Sequence, residues 1–274
     1  MFFYQQYSPS PALAEFVECY WVMQSPPSFM PGPDRLIPGG RVELMFNFSS
    51  PMQLMMNEKL SGGYTTPGAM VMGQRNKIFY AQSISGADTM GVRFKPGGVA
   101  AFTGIPISNL LNTAVPAEEV FGDAINTWAE QLYALSTNDE KIKLLDALLQ
   151  KAIKSIPAER NVMQYAVNAL RNNNDASSIK TICDETGWYY KKLERLFLKT
   201  TGYTPKYYGK ITRFNKALRL MQGNVSLTSV CYECNYFDQS HFIKDFHTFA
   251  GTSPKQFKRE DNKIASVLIQ YQVV

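Results

Sequence analysis

Residues 178–205, SIKTICDETGWYYKKLERLFLKTTGYTP, and residues 226–254, SLTSVCYECNYFDQSHFIKDFHTFAGTSP, are two copies of one pattern. Ser178, Ile179, Ile182, Cys183 and Gly187 return 48 residues later as Ser226, Leu227, Val230, Cys231 and Asn235. Beyond the turn the offset is 49: Leu193, Arg195, Phe197, Gly202 and Pro205 return as Phe242, Lys244, Phe246, Gly251 and Pro254. One extra residue has entered the second turn. Each copy opens on a serine able to cap a helix, runs about eight residues with apolar spacing, and meets Gly or Asn, the residues that enter the left-handed region most cheaply. A second helix follows at once, over 189–199 in the first copy and 238–248 in the second. The pattern predicts a helix-turn-helix made twice, with Cys183 and Cys231 as the small residues that let the paired helices cross closely.

Between the copies, Thr204 and Pro205 supply an N-cap and a first-turn proline for a helix over 206–222. Tyr208, Ile211, Phe214, Leu218 and Met221 form its apolar stripe. At about 1.5 Å per residue such a helix is a rod of roughly 25 Å. That length suits two recognition helices set about 34 Å, one turn of DNA, apart on one face of a duplex.

The segments Gly187–Tyr208 and Asn235–Phe257 closely resemble the DNA-binding domain of AraC/XylS-type bacterial transcription regulators. The N-terminal half resembles an uncharacterised domain often fused to it, through Val17-Glu18-Cys19-Tyr20-Trp21, Pro38-Gly39-Gly40-Arg41-Val42-Glu43-Leu44 and Gly91-Val92-Arg93-Phe94-Lys95-Pro96-Gly97-Gly98. The resemblance implies a cytoplasmic regulator whose partner is double-stranded DNA, with a sensor or dimerisation role for the first half. It implies base contacts from Lys191, Glu194 and Arg195 in the first recognition helix and from Gln239, Ser240 and Lys244 in the second. Gln239 and Lys244, five residues apart, are expected to share roughly one face, Gln for adenine and Lys for guanine. Three positions depart from the family: Asn235 replaces a glycine, His247 a basic residue, and Glu194 is unusual, suited either to cytosine N4 or to repelling phosphate.

The first hundred residues are punctuated by Gly and Pro. In Arg41-Val42-Glu43-Leu44-Met45-Phe46-Asn47-Phe48, the residues Val42, Leu44, Phe46 and Phe48 alternate as on a strand. Met90–Phe94 reads as another, stopped by Lys95-Pro96-Gly97-Gly98. From about Gly98 the period becomes helical, through Val120, Ile125, Trp128, Leu132, Ile142, Leu145, Leu148 and Leu149. The expected fold class is multidomain α+β. Residues 1–110 form a β-rich, cupin-like barrel or sandwich, and 111–156 a helical segment whose stripe offers a face for a homodimer. Residues 157–262 form the all-α double helix-turn-helix domain. The apolar tail 263–274, ending IASVLIQYQVV, is expected to join a sheet edge or lie between domains.

Composition agrees with this division. A chain of 274 residues with 45% apolar and 19% charged residues is globular and has room for two domains. No run approaches the roughly 20 apolar residues of a membrane helix, and the first residues lack a signal peptide's basic start, so a membrane role is not expected. Four scattered cysteines fit a reducing compartment. Residues 1–155 carry 11 Lys/Arg against 13 Asp/Glu, and residues 156–262 carry 16 against 10. The cationic surplus therefore belongs to the half expected to meet a polyanion.

Sharper chemistry finds less support. Cys231-Tyr232-Glu233-Cys234 has redox or zinc spacing, but Cys183 fills the matching slot alone, so packing accounts for Cys231. The two histidines, His241 and His247, both lie in the second motif, leaving the barrel none for metal or triad chemistry. Walker and dinucleotide patterns are missing, so no cofactor is expected and no catalytic residue is assigned. For a small-molecule effector the candidate residues are Trp21, Arg41, Glu43, Tyr80 and Arg93; the plainer reading makes Trp21 core and pairs Glu43 with an arginine. The alternatives to an effector-controlled regulator are a β-barrel small-molecule enzyme with a DNA-binding tail and a ligand-independent DNA-binding protein.

Overall fold

The computed structural model describes residues 2–27, 34–49, 51–55, 64–66, 68–83, 86–172, 176–223 and 225–259. The apolar tail lies outside them. The N-terminal half contains β1 (Phe3–Tyr7), β2 (Val17–Ser25), β3 (Asp34–Leu36), β4 (Glu43–Asn47), β5 (Met52–Met55), β6 (Tyr64–Thr66), β7 (Ala69–Met72), β8 (Phe79–Ser83), β9 (Ala87–Phe94) and β10 (Ala114–Pro116). Two antiparallel sheets result, one ordered β1-β2-β9-β4-β7-β10 and the other β3-β8-β5-β6. The strand that ends the larger sheet lies beyond residue 110, so the β-rich unit runs past the boundary drawn from sequence.

Period-two alternation decides what each face of the larger sheet meets. Trp21, Met45, Met70 and Met72 point to the smaller sheet and pack with Leu54 and Ala81. Tyr20, Val22, Leu44, Phe46, Val92 and Phe94 point the other way, with Val42 beside them. The helices α1 (Glu118–Phe121), α2 (Ala124–Tyr133) and α3 (Asn138–Ala152) cover that second face. Their stripe of Val120, Ile125, Leu132, Ile142, Leu145 and Leu149 is buried there, which corrects the expectation that it forms a dimer face. An otherwise bare apolar sheet is the nearer partner.

Asp146 on α3 ties this helix to the sheet: its carboxylate accepts hydrogen bonds from Tyr20 Oη at 2.7 Å, Ser10 N at 2.9 Å and Gln150 Nε2 at 2.7 Å. Burial alone would raise its pKa, but the donors together hold it below the usual carboxylate range.

The C-terminal half contains α4 (Arg160–Asn172), α5 (Ala176–Thr186), α6 (Tyr190–Thr201), α7 (Pro205–Met221), α8 (Leu227–Glu233), α9 (Gln239–Ala250) and α10 (Pro254–Arg259). Helix α7 begins as its sequence dictates, with the Thr204 side chain accepting from Tyr207 N and Pro205 in the first turn. Its stripe of Tyr208, Ile211, Phe214, Leu218 and Met221 is at most 4% exposed. Gly187 and Asn235 both adopt positive φ, 67° and 54°, where the turns were expected. Ser226 caps α8 by accepting from Ser229 N, whereas Ser178 is a buried residue inside α5 rather than its cap.

A buried ion pair seats α9 on α7. Arg213 Nη2 lies 2.9 Å from Asp245 Oδ2, and the guanidinium also covers the Tyr236 ring at 4.5 Å. His241 Nε2, one turn earlier on α9, is 3.6 Å from the same carboxylate oxygen.

Two stability measurements test these ties. The depressed Asp146 carboxyl contributes stability above the ordinary carboxylate pKa of about 4 and loses it as pH falls through the lower folded value. Asp146→Asn is therefore expected to lower stability at pH 7 and to flatten the acid limb of a stability–pH curve below about pH 4; an unchanged acid limb refutes the assignment. Asp245→Ala leaves Arg213 buried and unpaired and should cost about 3 kcal/mol or more in urea denaturation. Arg213→Met combined with Asp245→Leu should recover most of that loss.

Candidate nucleic-acid interface

The two recognition helices, α6 and α9, are each 12 residues long and end alike. Gly202 and Gly251 are their left-handed C-caps, with φ of 75° and 69°. Both ends meet the N-terminal half. A Cβ on Gly202 would stand 3.3 Å from Ile107 O, and one on Gly251 would stand 2.5 Å from Ile78 Cδ1. Just beyond α6, Tyr203 Oη donates to Arg75 O at 2.7 Å, and Tyr207 Oη donates to Asn76 O at 3.4 Å. Near the opposite ends, Tyr189, Tyr190 and Lys191 of the first helix and Gln239 and Ser240 of the second are exposed.

The exposed faces correspond position by position. Lys191, Glu194, Arg195 and Leu198 on α6 match Ser240, Ile243, Lys244 and His247 on α9 at the 49-residue offset, and all are exposed except the half-buried Glu194. This spacing of i, i+3, i+4 and i+7 is one helical face. Its counterpart, Leu193 and Phe197 on α6 with Phe242 and Phe246 on α9, is fully buried.

Individual side chains refine the sequence reading. Glu194 accepts from Lys191 Nζ at 2.8 Å and from Tyr190 Oη at 3.2 Å. The hydrogen bond from Lys191 holds its carboxyl below the usual range. This contact fixes the direction of the Lys191 ammonium. Lys192 turns away, its ammonium 3.9 Å from the Trp188 ring centroid. Gln239 and Lys244 are both exposed. At about 100° per residue they lie roughly 140° apart around α9, so Ser240, not Gln239, stacks with Lys244. The Asp238 side chain caps α9 by accepting from His241 N at 2.6 Å, whereas Tyr189 gives α6 no side-chain cap.

Sequence reasoning missed three exposed apolar residues on this side: Phe237 at 93%, Ile243 at 42% and Leu198 at 37%. Phe237 is the extra residue of the second turn. Trp188 N donates to Cys183 O and Tyr236 N to Cys231 O, both at 3.0 Å, so the turns match up to those residues. The next residue caps α6, but Phe237 intervenes before the cap of α9. The change of offset from 48 to 49 carried that information. Cys231 and Cys234 are buried free thiols whose pKa burial raises, Cys234 to about 11, as packing residues should be.

The five ligand candidates do not converge on one pocket. Trp21 and Glu43 line a cavity of about 70 Å³ between the sheets, among Met23, Met45, Met52 and Met72. Ligand pockets are usually roughly 300–1,000 Å³. Arg93 is held at 2.7 Å by Glu43, the plainer reading of that carboxylate. Tyr80 is covered by Arg35 at 5.9 Å and does not line the cavity. Arg41 lies elsewhere, paired with Glu18 at the boundary with α7. The sequence placed these side chains near strands but carried no sign of which way each faces.

Comparison with known proteins follows the same division. Residues 163–260 match a family described as a helix-turn-helix domain, and residues 5–116 match a domain of unknown function, DUF6597. The activator RhaS of Pectobacterium carotovorum subsp. carotovorum is 25% identical over 109 residues, which is 39% of either chain. The uncharacterised regulator YidL of Escherichia coli K12 is 45% identical over 132 residues, 47% of this chain and 38% of YidL. This chain spans about two fifths of the length of the curated relatives it matches. ToxT of Vibrio cholerae superimposes with a TM-score of 0.48 at 10% identity, over 83% of this chain and 96% of ToxT. Among the described residues no helix is long and apolar enough to cross a membrane. Residues 163–260 are thus a helix-turn-helix domain of the AraC type, joined to a domain of unknown function over residues 5–116.

Proposed function

We propose that this chain is a sequence-specific DNA-binding transcription regulator of the bacterial cytoplasm that places α6 and α9 in successive major grooves. The observation that carries this reading is the repeated face: the same four positions are outward on both helices, opposite the buried face of Leu193 and Phe197 on α6 and of Phe242 and Phe246 on α9. Recognition helices read base edges with their N-terminal residues. Lys191 and Arg195 on α6, and Gln239, Ser240 and Lys244 on α9, touch bases in this scheme, with Glu194 aiming Lys191. The uncapped N-terminus of α6 and the exposed Lys180, Lys206 and Lys255 hold phosphates.

The test is binding to a selected duplex across a salt series. Neutralising about six phosphates gives a log–log slope near −5, and a slope near zero would remove DNA as the partner. Gln239→Ala is expected to relax preference at one base position, by about 1–3 kcal/mol of discrimination, while leaving the slope nearly unchanged. If selection from a random library returns the parent motif for that variant, Gln239 only positions the helix.

A further inference from the structure

A second cavity, of about 290 Å³, lies where the two halves meet. Its walls come from the loop Gly39–Arg41, the end of α4 and the middle of α7. Arg41, Arg171, Lys216 and Arg219 all line it, and among the described residues no carboxylate does. Arg41 is paired with Glu18 at 2.5 Å. Arg171 bonds the buried Tyr208 hydroxyl, and Lys216 Nζ donates to Glu233 O at 2.6 Å. Among the described residues no carboxylate forms an ion pair with Arg171, Lys216 or Arg219.

Such a cluster is costly as it stands. Like charges gathered at a low-dielectric boundary repel one another, and a half-buried guanidinium has lost part of its water. Burial, with Arg41 and Arg171 close by, pushes the Arg219 pKa below its ordinary value, and Glu18 and Cys234 only partly oppose this. Guanidinium groups are suited to phosphate because their planar fork gives two parallel hydrogen bonds. A second feature narrows the class. Asn215, 6% exposed, also lines the cavity; its Nδ2 donates to Gly39 O, but its buried Oδ1 has no hydrogen-bond partner. An orphaned acceptor beside a cationic cluster calls for a ligand that brings a hydroxyl as well as a negative charge.

We infer that this cavity binds a small phosphate-bearing polyol, its phosphate shared by Arg41, Arg171 and Arg219 and a hydroxyl donated to Asn215. Because Arg41 belongs to the β-rich half and Arg219 to α7, the bound molecule bridges the two halves. The site is separate from the DNA-facing surface, and its test needs no DNA, so its failure leaves the DNA reading untouched.

The experiment follows the thermal unfolding of the full chain titrated with glycerol 3-phosphate, with inorganic phosphate, and with sodium chloride at matched ionic strength. A ligand of the native state raises Tm by mass action. Glycerol 3-phosphate is expected to raise it more than inorganic phosphate, and both more than chloride. Arg219→Gln, by relieving repulsion, should raise the ligand-free Tm or leave it unchanged while weakening apparent affinity for glycerol 3-phosphate about tenfold or more. Lys143→Gln, on the exposed face of α3, should respond as the parent does. Asn215→Leu should bring glycerol 3-phosphate down to the level of inorganic phosphate. The inference is overturned if neither phosphate exceeds chloride, if Arg219→Gln responds like the parent, or if glycerol 3-phosphate holds no advantage that Asn215→Leu removes.

Discussion

Helix α7 cannot be shifted without moving everything that meets it. Its stripe is closed into the core of the helical half, with Tyr208 against Phe197 of α6 and Phe214 against Phe246 and Phe249 of α9. The buried Arg213–Asp245 pair fixes α9 on one side. On another side the loop from the β-rich half presses close: Ile37 joins the helical core, and a Cβ on Gly40 would stand 3.3 Å from Ile211 Cγ2. Seventeen residues of one helix thus set the spacing of both recognition helices and seat the other half of the molecule.

The duplicated motif is not used symmetrically. Asp245 corresponds to Leu196, so the position that holds an ion pair with α7 in the second copy is apolar in the first. Leu196 is buried, and α6 lies against the short 3-10 turn Ile107–Leu110 of the N-terminal half. One recognition helix therefore takes much of its support from the β-rich half, and the other from its own domain. A rearrangement at the boundary would reach α6 more directly than α9.

Much of this was legible in the sequence because it is local. Repeat offsets located both turns, and Gly187 and Asn235 have the left-handed backbone that their residue types suggest. The stripe on α7 and the alternation of Val42, Leu44 and Phe46 follow from periodicity, which reports one buried face without saying what covers it. That silence explains the main misreading. The stripe over 120–149 is apolar either way, and only the tertiary fold shows that Phe46, Val92 and Phe94 are its partners. Ser178 misled for a related reason, since a serine near a helix start can cap it or be packed inside it. The Pro38-Gly39-Gly40-Arg41 motif carries the resemblance to a domain family, but only the fold shows that the missing side chain of Gly40 admits α7 at close range.

Because α6 and α9 are packed on α7 along their inner faces and meet the N-terminal half at their C-terminal caps, the helical half tilts about those caps as one lever. Twelve residues at about 1.5 Å each make an arm of roughly 18 Å, so a tilt of about 10° at the glycine pivots carries a tip some 3 Å sideways. That displacement is about the length of a hydrogen bond, enough to take a side chain off a base edge. Small adjustments where Gly202 and Gly251 meet Ile107 and Ile78 are thus magnified at the far ends of α6 and α9, with no change in the helices themselves.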